Sequence, residues 1–173
     1  MSYANVYLIG LMGAGKTTVG RQLAKRTGRR FVDSDHEIEA RAGVRIPFIF
    51  EKEGEAGFRQ REAQMLVELA QRENLVVATG GGIVLLPENR AILRSVGTVI
   101  YLNVPPRVLF ERIRHDRNRP LLQVPEPYLK LEELHASRDA LYREVADIVI
   151  DTQGGLVSHL VNLIEKELSR CVA

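Results

Sequence analysis

The octapeptide Gly10-Leu11-Met12-Gly13-Ala14-Gly15-Lys16-Thr17 constrains this chain more than any other stretch. It fits the spacing G-x-x-x-x-G-K-[ST], and its setting fits as well. The apolar run Val6-Tyr7-Leu8-Ile9 precedes it, and a helical pattern from Lys16 to about Thr27 follows. Glycines here let successive backbone N–H groups turn inward around phosphate oxygens. The helix N-terminus adds partial positive charge. Lys16 offers a mobile point charge to outer phosphates, and Thr17 offers a hydroxyl to Mg²⁺. Gly13, Ala14, Gly15, Lys16, Thr17 and Thr18 are therefore the expected contacts to a nucleoside triphosphate. The alternative is a glycine-rich turn with an incidental lysine, which does not call for a strand before it and a helix after it.

The rest of the chain repeats that strand-to-helix alternation. Short continuous apolar runs begin at Phe31-Val32 and recur at Leu75–Ala78, Val99–Leu102 and Ile148–Ile150. Continuous rather than alternating runs predict strands buried on both faces. Helical patterns lie near 53–72, 88–95, 105–116, 130–145 and 156–169. The expected architecture is α/β: a five-stranded parallel sheet with helices on both sides, in one domain over residues 1–173. The length and the 45% hydrophobic content suffice for one core. A net charge of only +2 argues against a protein that coats nucleic acid. Cys171 stands alone, so neither a disulfide framework nor a Cys/His zinc spacing exists within the chain, which fits a reducing, cytoplasmic setting. Residues 1–15 lack a basic region before their apolar stretch and read as strand and turn, not as a signal peptide. No apolar run is long enough to span a bilayer, so no membrane association is expected.

Two features stand out beyond the phosphate loop. Phe31-Val32-Asp33-Ser34-Asp35 ends a strand with two carboxylates on one face of an extended chain. Strand C-termini line the ligand crevice of an open parallel sheet, so this pair should sit beside the phosphate loop. A local alternative is that Ser34 or Asp35 caps the next helix, since Ser34 with Glu37 has capping-box spacing. The third strand ends Ala78-Thr79-Gly80-Gly81-Gly82 with no acid, which leaves Asp33 as the candidate metal ligand. The three glycines leave room for close approach to the backbone.

The arginines also need reasons. Arg138 occupies a place on the apolar stripe of Leu131, Leu134, Leu141 and Val145, where it either snorkels or meets an anion in a cleft. Arg59 lies three residues before Glu62 and either forms an exposed ion pair or presents a fork to a carboxylate. Arg107, Arg112, Arg114, Arg117 and Arg119 crowd one stretch that runs into a segment with Pro120, Pro125 and Pro127. That segment, about 115–125, lacks periodicity and is expected to be a mobile lid, with Arg119 available to a transferring phosphoryl group.

Taken in order, these marks resemble shikimate kinase. They are Gly10 to Gly20, Asp33-Ser34-Asp35 with Ile38, Gly54-Glu55 before Phe58-Arg59 with Glu62, Gly80-Gly81-Gly82, Arg119-Pro120-Leu121-Leu122, and Arg138 with Leu141-Tyr142. The resemblance runs from Val6 to about Leu163. It implies a P-loop kinase fold with strand order 2-3-1-4-5, like nucleoside monophosphate kinases. It also implies phosphate transfer from ATP to the 3-hydroxyl of shikimate, a step in making aromatic amino acids, by a monomer. Under it, Thr17 and Asp33 hold Mg²⁺, and Lys16, Asp35 and Arg119 are catalytic. Asp35, Arg59, Arg138 and Gly80, Gly81 and Gly82 bind the acceptor within a segment about 34–62 and beyond, with Phe50 and Phe58 as walls. Arg112 lies against adenine. Some relatives place an arginine just after the last strand, where this chain reads Asp151-Thr152-Gln153-Gly154-Gly155, so Gln153 stands among the nucleotide contacts instead.

Two other functions share parts of this pattern. A gluconate kinase would keep the phosphate loop but has no need of two arginines aimed at a ring acid beside three glycines. A nucleotide-dependent switch without turnover would not need Asp35, Lys16 and the lid arginine together.

Overall fold

The structure, a computed structural model, describes residues 4–172; residues 1–3 of the opening stretch lie outside the described residues. Its elements in chain order are β1 (Asn5–Ile9), α1 (Lys16–Thr27), β2 (Arg30–Asp33), α2 (Ser34–Ala42), α3 (Ile46–Ala70), β3 (Leu75–Ala78), α4 (Pro87–Ser95), β4 (Gly97–Asn103), α5 (Pro106–Ile113), a 3₁₀ turn (Pro120–Leu122), α6 (Pro127–Val145), β5 (Ile148–Asp151) and α7 (Val157–Val172). The five strands are parallel, as their apolar runs predict, and ordered β2-β3-β1-β4-β5, as the resemblance implies. Successive residues of a strand point to opposite faces. Tyr7, Leu8 and Ile9 are nevertheless all fully buried, as are Val76, Val77, Val99 and Ile100. Both faces of the sheet are therefore covered, which is why these strands read as unbroken apolar runs.

The chain turns from one half of the sheet to the other around β1: β3 pairs with it on one side and β4 on the other. The C-terminal ends of β1, β2 and β3 open onto the same edge, the place where doubly wound sheets bind ligands. The first helix begins there with Gly15 as its N-cap, at φ 95°. An L side chain is strained at that dihedral, so glycine is required for the loop to enter the helix with its N–H groups exposed.

The segment between β2 and β3 differs from the sequence expectation. The helical pattern near 53–72 is only the second part of α3, which begins at Ile46 with Pro47 in its first turn and breaks at Gly54 (φ 71°, ψ −178°). The break resets the helical phase, so no single apolar stripe runs through all of α3. The first part shows in sequence as an apolar cluster, Ile46 to Phe50, without helical periodicity. The segment about 115–125 differs too. It is irregular on both sides of the 3₁₀ turn, but Leu122 is buried against the core and anchors it.

Candidate active site

The phosphate loop, the end of β2, the run after β3 and the segment after α5 together enclose a cleft of about 700 Å³. Gly13, Ala14, Gly15, Lys16, Thr17 and Thr18 line one wall. Lys16 is buried, and its Nζ donates to the carbonyls of Gly10 at 2.5 Å and Leu11 at 2.9 Å. Burial pulls the ammonium down to about 8, opposed mainly by Asp35. The lysine folds back onto its own loop, where phosphate oxygens would be stronger acceptors.

Asp33 holds the next wall. Its Oδ2 accepts from Thr17 Oγ1 at 2.7 Å, and its Oδ1 accepts from the backbone N–H groups of Asp35 at 3.0 Å and His36 at 3.2 Å. The cap of α2 is thus Asp33, and neither Ser34 nor Asp35 supplies it. Ser34 Oγ is instead buried without a hydrogen-bond partner among the described residues. Capping a helix fixes the Asp33 carboxylate beside Thr17, so one residue serves both structure and site.

Asp35 then turns into the cleft. The residue is partly exposed, but its Oδ1 is shut off from solvent and has no hydrogen-bond partner among the described residues. Burial raises its carboxyl to about 6; Asp33 adds to the rise, while Lys16, Arg119 and Arg59 oppose it. A second partnerless oxygen lies nearby. Glu62 is 1% exposed; its Oε1 accepts from Arg59 Nη1 at 3.0 Å, and its Oε2 has no partner among the described residues. Burial raises Glu62 to about 7, opposed by Arg59. Both orphan oxygens face Gly80: a Cβ on that residue would stand 2.6 Å from Glu62 Oε2 and 2.9 Å from Asp35 Oδ1. A side chain at this position would have to push one or both carboxylates aside.

The other two glycines face arginines. A Cβ on Gly82 would stand 2.1 Å from Arg59 Nη1, and one on Gly81 would stand 3.6 Å from Arg138 Nη1. The glycine run is pinned by Thr79, whose N–H and hydroxyl both donate to Leu8 O, and by Tyr142, whose hydroxyl donates to Gly81 O. Arg138 is 3% exposed and forms no ion pair among the described residues. Such burial rules out snorkelling and leaves a buried cation beside the cleft. Arg59 is paired, but not on the surface: it is 8% exposed and bonded to Glu62 and Glu55. Its Nε has no partner. Phe58 lies under the Arg59 guanidinium, 5.3 Å from its ring centroid, and packs on Phe50 at 4.9 Å.

The arginine cluster divides. Arg112 and Arg119 line the cleft, whereas Arg114 and Arg117 face a separate groove with Leu122 and Val124. Arg112 Nη1 donates to Gly13 O at 2.9 Å, and its other nitrogen lies against Gly154. Arg119 Nε donates to Asp116 Oδ2 at 3.1 Å. Gln153 is exposed and is not part of the cleft wall, which its neighbours Thr152 and Gly154 form. Sequence reasoning missed Asp116, which holds Arg119. It also missed the stretch Arg45-Ile46-Pro47, which lines the cleft. Pro47, which suits a first helical turn, was a usable signal; Asp116 had none.

A phosphate loop at the switch point of a parallel sheet, with an acid pair and arginines converging on it, defines a P-loop kinase. The family model for shikimate kinase matches residues 12–169. The shikimate kinase of Ralstonia nicotianae is 62% identical over 168 residues, spanning 97% of this chain and 88% of that protein. The solved structure of the shikimate kinase from Acinetobacter baumannii in complex with shikimate is 51% identical at a TM-score of 0.95, over 97% of this chain and 94% of that one. The chain belongs to the shikimate kinase family. A gluconokinase from Sinorhizobium meliloti shares the fold alone, at 19% identity and a TM-score of 0.60 over 97% of this chain and 93% of that one.

Proposed function

We propose that this protein transfers the γ-phosphoryl group of ATP to the 3-hydroxyl of shikimate. The observation that carries the reading is that, among the described residues, one carboxylate oxygen each on Asp35 and Glu62 lacks a hydrogen-bond partner and the buried Arg138 lacks an ion pair. Buried acceptors without donors call for hydroxyl groups, and a buried guanidinium calls for a carboxylate. A small polyhydroxylated acid supplies both, and a ring acid fits between the Phe50–Phe58 wall and the bare glycines. Gluconate has the same groups on a flexible chain, which would lose more entropy on binding.

In this mechanism Asp35 accepts a hydrogen bond from the acceptor hydroxyl and takes its proton as the oxygen attacks the γ-phosphorus. The bond from that phosphorus to the β,γ-bridging oxygen breaks, and the electron pair leaves on ADP. Lys16, released from its loop carbonyls, and Arg119, drawn from Asp116, meet the charge that spreads over the transferring group. Arg138 and Arg59 grip the carboxylate and orient the ring, and Gly80, Gly81 and Gly82 admit it. Arg112 borders the adenine site with Gly154, and Gln153 contributes from outside the wall. The oxygens of Thr17 and Asp33, already 2.7 Å apart, suit Mg²⁺. This cation favours one or two protein oxygens plus substrate phosphates, and it would neutralise phosphate charge. Segments 34–62 and 115–125 act as acceptor-binding and lid segments within one domain. Every group comes from one chain, so the reading needs no second copy. Among the described residues no helix is long and apolar enough to cross a membrane, and a cytoplasmic setting belongs to the same proposal.

Coupled ADP release tests the reading. Turnover with ATP and Mg²⁺ is expected with shikimate and not with gluconate or without acceptor. Equal rates with gluconate, or none with shikimate, would overturn it.

A further inference from the structure

One polar cluster lies outside the cleft but touches both of its ends. Asn103, at the last position of β4, pairs in register with Asp151 of β5. Its Nδ2 donates to Asp151 Oδ1 at 2.7 Å, and its carbonyl accepts from Thr152 N at 3.0 Å. These bonds fix the loop whose Thr152, Gly154 and Gly155 line the nucleotide end of the cleft. The amide's other atom faces the opposite way. Asn103 Oδ1 lies 3.1 Å from His135 Nε2 and 3.1 Å from Tyr101 Oη, whose single proton goes to the nearer carboxylate of Asp139. Because Nδ2 is committed to Asp151, Oδ1 is the acceptor, and His135 carries its proton on Nε2.

His135 belongs to α6, the helix that carries Arg138 one turn further on. Tyr101 reaches the same helix by two contacts. Its hydroxyl donates to Asp139 Oδ1 at 2.8 Å, and its ring packs on Tyr142 at 4.8 Å. Tyr142 in turn donates to Gly81 O, within the glycine run of the acceptor site. A continuous series of bonds and ring contacts therefore joins the loop after β5 to α6 and to Gly81.

We propose that Asn103, Tyr101 and His135 are positioning residues that couple the nucleotide loop to the acceptor-binding helix, so that each ligand raises affinity for the other. The proposal rests on the assignment of the two ends of the cleft given above. Ordering the loop against a nucleotide fixes Asn103, and Asn103 fixes α6 through His135, while Tyr101 beside it holds the same helix through Asp139. The acceptor then meets an Arg138 and a Gly81 that are already held. By reciprocity the acceptor strengthens nucleotide binding by the same factor.

Calorimetric titration of shikimate with and without a non-hydrolysable ATP analogue and Mg²⁺ reads this factor. In the wild type it is expected to be about fivefold or more, the lower end of common coupling. In Asn103→Ala, and in Tyr101→Phe, which keeps the ring, it should fall toward one while each ligand alone binds nearly as before. His135→Gln retains a donor and should preserve the factor; His135→Ala should not. A purely structural role would lower thermal stability and weaken each ligand with the factor unchanged, and that result overturns the proposal, as does a wild-type factor of one. A second arm does not depend on the acceptor. The nucleotide analogue alone should slow amide exchange across residues 135–142 in the wild type and not in Asn103→Ala. If the wild type shows that protection but fails to bind shikimate, the acceptor assignment falls and the linkage stands. Without that protection, the linkage itself is overturned.

Discussion

At Asp35, burial works against ionisation, while the transfer step needs a carboxylate that can take a proton. The value near 6 places it where it is ionised at neutral pH yet basic enough to accept the proton. Lys16 is pulled the other way, to about 8, and must be charged to meet phosphate. The two groups interact, so their titrations belong to the pair. For kcat/KM, which reports the free protein, the profile should rise through about pH 6 and fall above about 8. For kcat at saturation the alkaline limb should move up, since bound phosphates hold the lysine's proton. Stopped assays across pH 5–10 check both, and an alkaline limb identical in the two profiles would separate it from Lys16. Asp35→Asn keeps size and removes charge. It should lower kcat by roughly a hundredfold or more, with less effect on nucleotide affinity. Asn at this position cannot disturb the helix cap, because Asp33 supplies it.

At the scale of elements, the sequence shows most where local physics decides. The five buried strands read directly from their apolar runs, and α1 reads from the loop before it. The site glycines were visible as a triplet, but their partners were not. Gly80 with Glu62 and Asp35, and Gly82 with Arg59, meet across β3 and α3 only once the sheet is assembled. The cap on α2 was misplaced by two competing candidates one and two residues on, because backbone geometry, not residue type, decides which oxygen reaches the free N–H groups. The irregular segment about 115–125 was legible as a break in periodicity, while its anchor at Leu122 depends on a core that the local sequence does not describe. That anchor sharpens the prediction for Arg119. If the segment closes as a lid, the residues before the 3₁₀ turn, joined by the Arg119–Asp116 pair, should be the part that moves, since Leu122 fixes the far side. Arg119→Ala should lower kcat far more than it weakens nucleotide binding, because the contact forms with the transferring group. Amide exchange should slow across residues 115–119 with both ligands bound and change little at Leu122. Near-normal turnover with unchanged exchange would make the segment a static surface loop.

For the whole molecule, the site is held at a cost to the ligand-free fold. Glu62 and Asp35 are raised by burial to about 7 and about 6. Their unfolded counterparts release protons near pH 4. Between those limits the folded chain binds protons that the unfolded chain has lost, so raising the pH favours unfolding. The contribution of these two groups is fully present below about pH 4 and is lost as pH rises through about 6 to 7. Lys16, lowered to about 8, has the opposite sign: its contribution is present above the ordinary lysine range near 10 and is lost as pH falls through about 8. Surface carboxylates held low by hydrogen bonds from arginines, Glu53 with Arg61 and Glu68 with Arg41, lose their contribution only in more acidic solution. The ligand-free protein should therefore melt higher near pH 5 than near pH 7.5. Glu62→Gln, which stays neutral and can still accept from Arg59, should flatten that slope and raise the melting temperature at pH 7.5. Saturating shikimate with a non-hydrolysable ATP analogue should flatten the wild-type slope too, because ligand hydroxyls give the ionised carboxylates the donors they lack. Differential scanning calorimetry at fixed ionic strength reads all three. A slope unchanged by both the substitution and the ligands would mean that these carboxyls are solvated in solution, and the buried pair would then lose its claim to bind hydroxyl groups.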